Sequence, residues 1–223
     1  MVTLKMKQKR LAFARKYRNW TSDQWRNIMF SDEAKFDILN RSRSVTVRHS
    51  GTTNRYADKY VVKTIKHPPS VMMWACFSGK GGRGGIYALP KNITMNGVRY
   101  KDVLDNHLIP QMRAHRIPFF LQDGAPCHKA KVVMNYLKEY ENEFTIMDWP
   151  GNSPDLNPIE NCWSYMKRRL KADHNITSAV KLEEAIKDIW MKEMDINYFQ
   201  NLADSMPKRL KWVIEHSGEM TKY

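Results

Sequence analysis

Cysteine is scarce: Cys76, Cys127 and Cys162 are the only three in 223 residues. An odd, sparse set cannot build a paired disulfide framework, so the sequence reads as belonging to a reducing compartment. Long apolar runs are missing too, since none approaches the ~18 residues that a membrane-spanning helix needs. The opening MVTLKMKQKR lacks the apolar centre of a secretory signal. No internal repeat and no low-complexity tract is present. Acidic residues are in the minority, with 23 Asp plus Glu against 37 Lys plus Arg and a net charge of +14. That excess favours a polyanionic partner, nucleic acid before a membrane surface. Charge by itself suits a ribosomal or histone-like protein equally well. What remains is 42% hydrophobic and 27% charged, enough for one full-sized domain with a buried core.

Periodicity places the elements. Residues 4–18 read as a basic helix with Leu4, Leu11, Ala14 and Tyr17 on one face. A second helix starts at Thr21, with Gln24 at capping-box spacing and Trp20 and Trp25 at the positions of a hydrophobic staple. Residues 27–38 form a buried strand, and 43–48 and 70–77 two more by β-branched and aromatic content. The connection at 49–69 is too long for a hairpin and is of the length that carries function. A helix over 97–113, a strand over 117–122, a helix over 129–140 and a strand over 143–147 follow. The loop WPGNSPDLNP then feeds a helix from Pro158 to about Ala172. Residues 178–194 carry the cleanest amphipathic stripe, and a last helix starts at Pro207. Strands first and helices last predict an α/β fold, a mixed sheet covered by helices.

Two carboxylates sit where buried segments end: Asp32 after IMF and Asp123 after FFLQ. Ligands gather at the ends of strands in α/β sheets, although Asp also terminates strands for purely local reasons. Glu160 falls in the first turn of a helix with Asn157 as N-cap and Pro158 at its first position. An acid there also meets the helix dipole favourably. The company is more telling. Ile159, Cys162, Met166 and Leu170 share one face of this helix, while Glu160, Ser164, Lys167 and Lys171 share the other. A carboxylate followed by two lysines suits a metal and then a phosphate backbone. Three converging carboxylates in a basic chain suit Mg²⁺ or Mn²⁺, and two such ions about 4 Å apart suit phosphoryl transfer.

FSDEAKF (30–36), QDGAPCH (122–128) and WPGNSPDLNPIENCW (149–163) resemble the three catalytic blocks of the Tc/mariner superfamily of cut-and-paste DNA transposases. VMMWACFSGKGGRG (71–84) resembles the family's strand and glycine-rich box, and the tail SMPKRLKWVIEHSGEMTKY resembles its C-terminus. The resemblance implies an RNase H-like fold and a catalytic, metal-binding triad of Asp32, Asp123 and Glu160. It further implies Mg²⁺-dependent cleavage at transposon ends, with Mn²⁺ substituting, two ions per site, and insertion at TA dinucleotides. Duplex DNA as partner, a homodimer on paired ends, a nuclear location and a clamp formed by residues 49–69 follow from the same likeness. Thirty-six residues separate Asp123 from Glu160, a longer spacing than in the best-known branches, and Gly124 stands where Asn is usual. The paired helix-turn-helix region that precedes such catalytic domains is not among these residues, so weak or sequence-indifferent binding of terminal repeats is expected. The domain reading is 1–26 as basic helical linker, 27–175 as catalytic core and 176–223 as helices packed on it.

Other signals carry less. Gly79 to Gly84 match G-x-G-x-x-G by letter, but the strand-like GIYALP follows where a helix is required, so a turn is expected. Cys127-His128 has no second pair at zinc spacing. Asp148 and Asp155 are rivals for the third acid, and Glu33 has the strand parity to point away from the site. Lys167, Lys171, His128 and Arg10 are candidate DNA contacts, with solvated surface as the plainer reading of the basic runs. Two other functions fit the same residues: a co-opted DNA-binding protein with an idle site, and an RNase H-type nuclease.

Overall fold

The computed structural model describes residues 2–38, 70–172 and 176–223. The expected strand at 43–48 and the clamp at 49–69 lie outside those residues. Five strands form one sheet: β1 (Ile28–Asp37), β2 (Ser70–Ser78), β3 (Gly82–Leu89), β4 (Phe119–Leu121) and β5 (Thr145–Ile146), in the order β3-β2-β1-β4-β5. β1 pairs antiparallel with β2, as β2 does with β3, while β1–β4 and β4–β5 are parallel. The mixed sheet flanked by helices is the RNase H-like arrangement expected.

The central strand explains its own composition. Ile28 to Ser31 are all buried because both faces are covered, Asp32 and Glu33 are half-buried, and from Ala34 on burial alternates. Phe30, Ala34 and Phe36 join one apolar cluster, while Met29 joins the other. The first cluster packs under α1 (Leu4–Tyr17), α2 (Ser22–Arg26), α6 (Ile159–Ala172), α7 (Ala179–Lys192), α8 (Ile196–Asp204) and α9 (Met206–Glu215). It holds Phe13, Phe30 and Val213 together and so runs across the expected boundaries near 26 and 175. The second cluster packs under α3 (Gly97–Val103), α4 (Ile109–His115) and α5 (Lys131–Lys138).

Local chemistry sets most ends. Thr21 accepts from the Gln24 amide while the Gln24 side chain accepts from the Thr21 amide, and Trp20 meets Trp25 at 5.2 Å between ring centroids. The single helix expected over 97–113 contains a π-helical turn at Leu104–Leu108. Pro110 follows it, and a proline can neither donate to the carbonyl four residues back nor pack against it. The glycine box divides: 79–81 turn, and Gly82, at φ +75°, opens β3. Gly84 within β3 admits no side chain, since a Cβ there would lie 2.5 Å from Cys76 Sγ. α1 buries Arg10, Phe13, Ala14 and Tyr17, whereas Leu4 is exposed, so its inner face is turned from the one expected. α8, capped by Asp195 on the Tyr198 amide at 2.8 Å, was not foreseen. Among the described residues no helix is long and apolar enough to cross a membrane.

Candidate active site

The site opens where a strand loses a neighbour. β4 pairs with β1 only from Ile28↔Phe119 to Phe30↔Leu121, while β1 continues beside β2 as far as Asp37. Asp32 is therefore not at the end of its strand, as the sequence suggested, but just past the end of β4. Asp123 lies two residues beyond Leu121, so the same register carried on makes it level with Asp32. Glu160 comes from the first turn of α6. The turn ahead of that helix is tied to β1 by Asn157, whose Nδ2 donates to the Ser31 carbonyl at 3.1 Å. α6, β1 and the segment that follows β4 thus carry the three acids toward the same end of β4.

Their electrostatics differ. Burial, then the charges of Glu160, Glu33 and Asp123, push the Asp32 carboxyl up to about 8. Burial also raises Glu160, against the opposing pull of a hydrogen bond from Asp32 and the charge of Lys167. Both carboxyls of the pair are thus raised, and Asp32 is the donor in the hydrogen bond between them. Asp123 moves the other way. Its hydrogen bond to His128 holds it below the usual carboxylate range against burial, helped by the Ala125 amide and the charges of His128 and Lys129.

His128 is the centre of a second arrangement on the opposite face. Its Nδ1 lies 2.7 Å from Asp123 Oδ1 and its Nε2 3.1 Å from Glu33 Oε1, with the ring stacked on Tyr100 at 4.0 Å. Burial pushes this imidazole down most strongly, yet the two carboxylate hydrogen bonds raise it to about 10. It is an imidazolium at neutral pH and donates from both nitrogens. Strand parity sets Glu33 aside from the site, yet it is linked to Asp123 through His128 and its charge bears on Asp32. The sequence reading missed that link, because an alternation rule says nothing about a bridging residue from another loop.

Gly124 also finds an explanation. Asp123 Oδ1 accepts from the Ala125 amide at 2.9 Å, an Asx-type turn that needs no side chain at 124. Lys129 takes that space, its Nζ 2.8 Å from where a Cβ would stand.

Several expected contacts are relocated. Arg10 is fully buried, with Nη1 and Nη2 each 2.7 Å from the carboxylate of Asp155, and cannot reach a phosphate backbone. The same pair removes Asp155 from contention as the third acid. His128 is 2% exposed with both nitrogens occupied, so it is neither a phosphate contact nor a zinc ligand. Lys167 and Lys171 are exposed on α6, and Lys167 is close enough to lower Glu160. Among the described residues, no three His, Cys, Asp or Glu side chains are gathered around one point as a finished metal site. Asp32 and Glu160 are bonded to each other, and Asp123 Oδ1 to His128 and Ala125. The donor set is nonetheless of the kind that hard divalent cations take: carboxylate oxygens, with Asp32 and Glu160 close enough to share a hydrogen bond.

Comparison with known proteins settles the family. Residues 27–183 match the DDE superfamily endonuclease family. The Tcb1 transposable-element transposase of Caenorhabditis briggsae is 34% identical over 226 residues, covering 100% of this chain and 80% of that one. The chain belongs to the Tc1/mariner DDE transposases. In fold, this transposase chain is similar to the Mos1 strand transfer complex, with TM-score 0.80, 18% identity and coverage of 100% here and 64% there. The Mos1 paired end complex with Mg gives TM-score 0.78 at 19% identity, over 98% of this chain and 63% of that one. The chain thus spans less than two thirds of the length of these Mos1 chains, and its span corresponds to a transposase catalytic domain.

Proposed function

We propose that this domain cleaves DNA strands at transposon ends and joins the freed ends to target DNA, with Asp32, Asp123 and Glu160 as its catalytic carboxylates and divalent-metal ligands. The observation that carries the reading is geometric: the β1–β4 register and the Asn157–Ser31 bond bring Asp123 and the start of the Glu160 helix beside Asp32. Carboxyls so placed favour a cation over their own mutual repulsion. Mos1 paired end complexes are solved with Mg and with Mn, which supports the same choice of ion here.

Asp32, Asp123 and Glu160 would together hold the ions, two per site in this reading. When bound, such ions polarise the scissile phosphate and favour deprotonation of the attacking hydroxyl. The protein's own part is positional. Asn157 fixes the turn leading to Glu160, and His128 takes Asp123 Oδ1 and sets its rotamer. Lys167 and Lys171 meet the phosphates that flank the break. Attack by water and later by a 3′-hydroxyl needs no covalent intermediate. Duplex ends, TA target sites, a pair of copies bridging two ends and a nuclear location complete the reading.

The test is strand cleavage of a duplex bearing the element's own terminus, with Mg²⁺ or Mn²⁺, beside an RNA–DNA hybrid. Nicking of the duplex that stops when the metal is chelated supports the proposal. Cleavage of the hybrid's RNA strand alone would mark an RNase H-type nuclease. Salt-sensitive DNA binding without any nicking would mark a co-opted binding protein.

A further inference from the structure

Five residues before Glu160, the side chain of Asp155 collects both ends of the chain. Its Oδ1 accepts from Arg10 Nη1 at 2.7 Å, and its Oδ2 from Arg10 Nη2 and from the Thr221 amide, each at 2.7 Å. Arg10 also donates from Nε to the Gly218 carbonyl and from Nη2 to the Glu219 carbonyl, both at 2.9 Å. Gly218 permits the approach: at φ +90° a Cβ would stand 2.4 Å from the Lys7 carbonyl oxygen.

A second buried arginine grips the same segment. Arg209 of α9 donates from Nη1 to the Asp155 carbonyl and from Nη2 to Asn161 Oδ1, both at 2.6 Å, and its Nε reaches Ser205 Oγ at 2.8 Å. Residues 155 and 161 are the two shoulders of the segment that presents Glu160. One rigid planar guanidinium holds both, and a lysine, with a single flexible ammonium, could not reproduce that span. Packing alone does not call for this: Arg10 and Arg209 are 0% and 1% exposed at positions where apolar residues would pack without needing partners.

We propose that Arg209, with the Arg10–Asp155 pair and the C-terminal strap 217–223 behind it, is a positioning residue that sets Glu160 against Asp32 for metal binding. This rests on Glu160 being a metal ligand, as proposed above. The ends of the domain would then be part of its active-site architecture, although neither touches the site.

The experiment is a calorimetric Mn²⁺ titration of the 223-residue chain without DNA, below the melting temperature of each variant. Metal half-saturation and KM for duplex in the nicking reaction are measured alongside. Arg209→Met is expected to weaken Mn²⁺ binding at least tenfold while KM for DNA stays within about twofold. Thr221→Pro, which removes the strap's amide donor to Asp155 and, at the exposed end of the strap, the hydroxyl that accepts from the Tyr223 amide, is expected to weaken it about threefold. It serves alone if Arg209→Met does not fold. Val213→Ala, buried on the same helix, should melt earlier yet keep the wild-type Mn²⁺ affinity. Wild-type affinity in the folded arginine or strap variant, or an equal loss in Val213→Ala, overturns the proposal. Glu160→Gln separates the two readings. If it binds Mn²⁺ like wild type, the ligand assignment falls and this proposal with it. If it binds weakly while Arg209→Met is unchanged, only the positioning role falls.

Discussion

Asn157 donates from its side chain to the backbone carbonyl of Ser31 across 3.1 Å. This one bond joins the loop that launches α6 to the strand residue beside Asp32, and both partners are buried. Replacing Asn157 with Ala leaves that carbonyl without its donor. The expected loss is about 1–3 kcal/mol of stability, the usual penalty for stranding a buried polar group. Chemical denaturation measures it, and a loss below a few tenths would show that the bond is not made in solution.

Asp32→Asn should stabilise the metal-free chain while abolishing cleavage. In the folded chain the Asp32 carboxyl is raised from 3.8 to about 8, first by burial and then by neighbouring acids. A raised acid contributes stability below its unfolded value, and that contribution is lost as pH rises from about 4 through 8. Asparagine carries no such loss, so the variant's melting temperature should exceed wild type by a few degrees at pH 8 and match it near pH 4. Scanning calorimetry at both values decides the matter. Saturating Mg²⁺ should raise the wild-type melting temperature and not that of the variant.

His128 should shape the alkaline limit. Its folded value of about 10 stands above the unfolded 6.5, so its contribution is complete below 6.5 and disappears as pH climbs through 10. In His128→Gln the decline of stability between those values should flatten, leaving the decline due to Asp32. Nitrogen-detected NMR offers the direct check: the imidazole should still be doubly protonated at pH 8.

Lys167 and Lys171 project from α6 on the Glu160 side and are exposed. If each meets one phosphate, Lys167→Ala and Lys171→Ala should each lower the log–log salt slope of DNA binding by about 1 and weaken binding to all sequences alike. An unchanged slope would remove that lysine from the interface.

The parts of this molecule that obey a local rule were legible in its sequence. The capping box at Thr21, the staple of Trp20 on Trp25 and the apolar face of α6 all depend on spacing within one element, and each appears where expected. The blocks singled out the three acids, whose catalytic role is the proposal above. What was hidden required long-range partners. Arg10 looks like surface charge in a basic helix and becomes core only because Asp155, 145 positions away, neutralises it. Glu33 looks outward until His128 arrives from another loop. α8 carries an apolar face of its own, Phe199 and Ala203 included, but it is nine residues long and follows α7 after a three-residue break, so the sequence does not mark it off from the longer helix as a separate element.

The most direct test is a crystal of the domain grown or soaked with Mn²⁺ and measured at the manganese absorption edge. Anomalous peaks within about 2.0–2.3 Å of carboxylate oxygens from Asp32, Asp123 and Glu160 are the predicted result. Manganese bound at saturating concentration to other residues, with these three carboxylates uncoordinated, would contradict it.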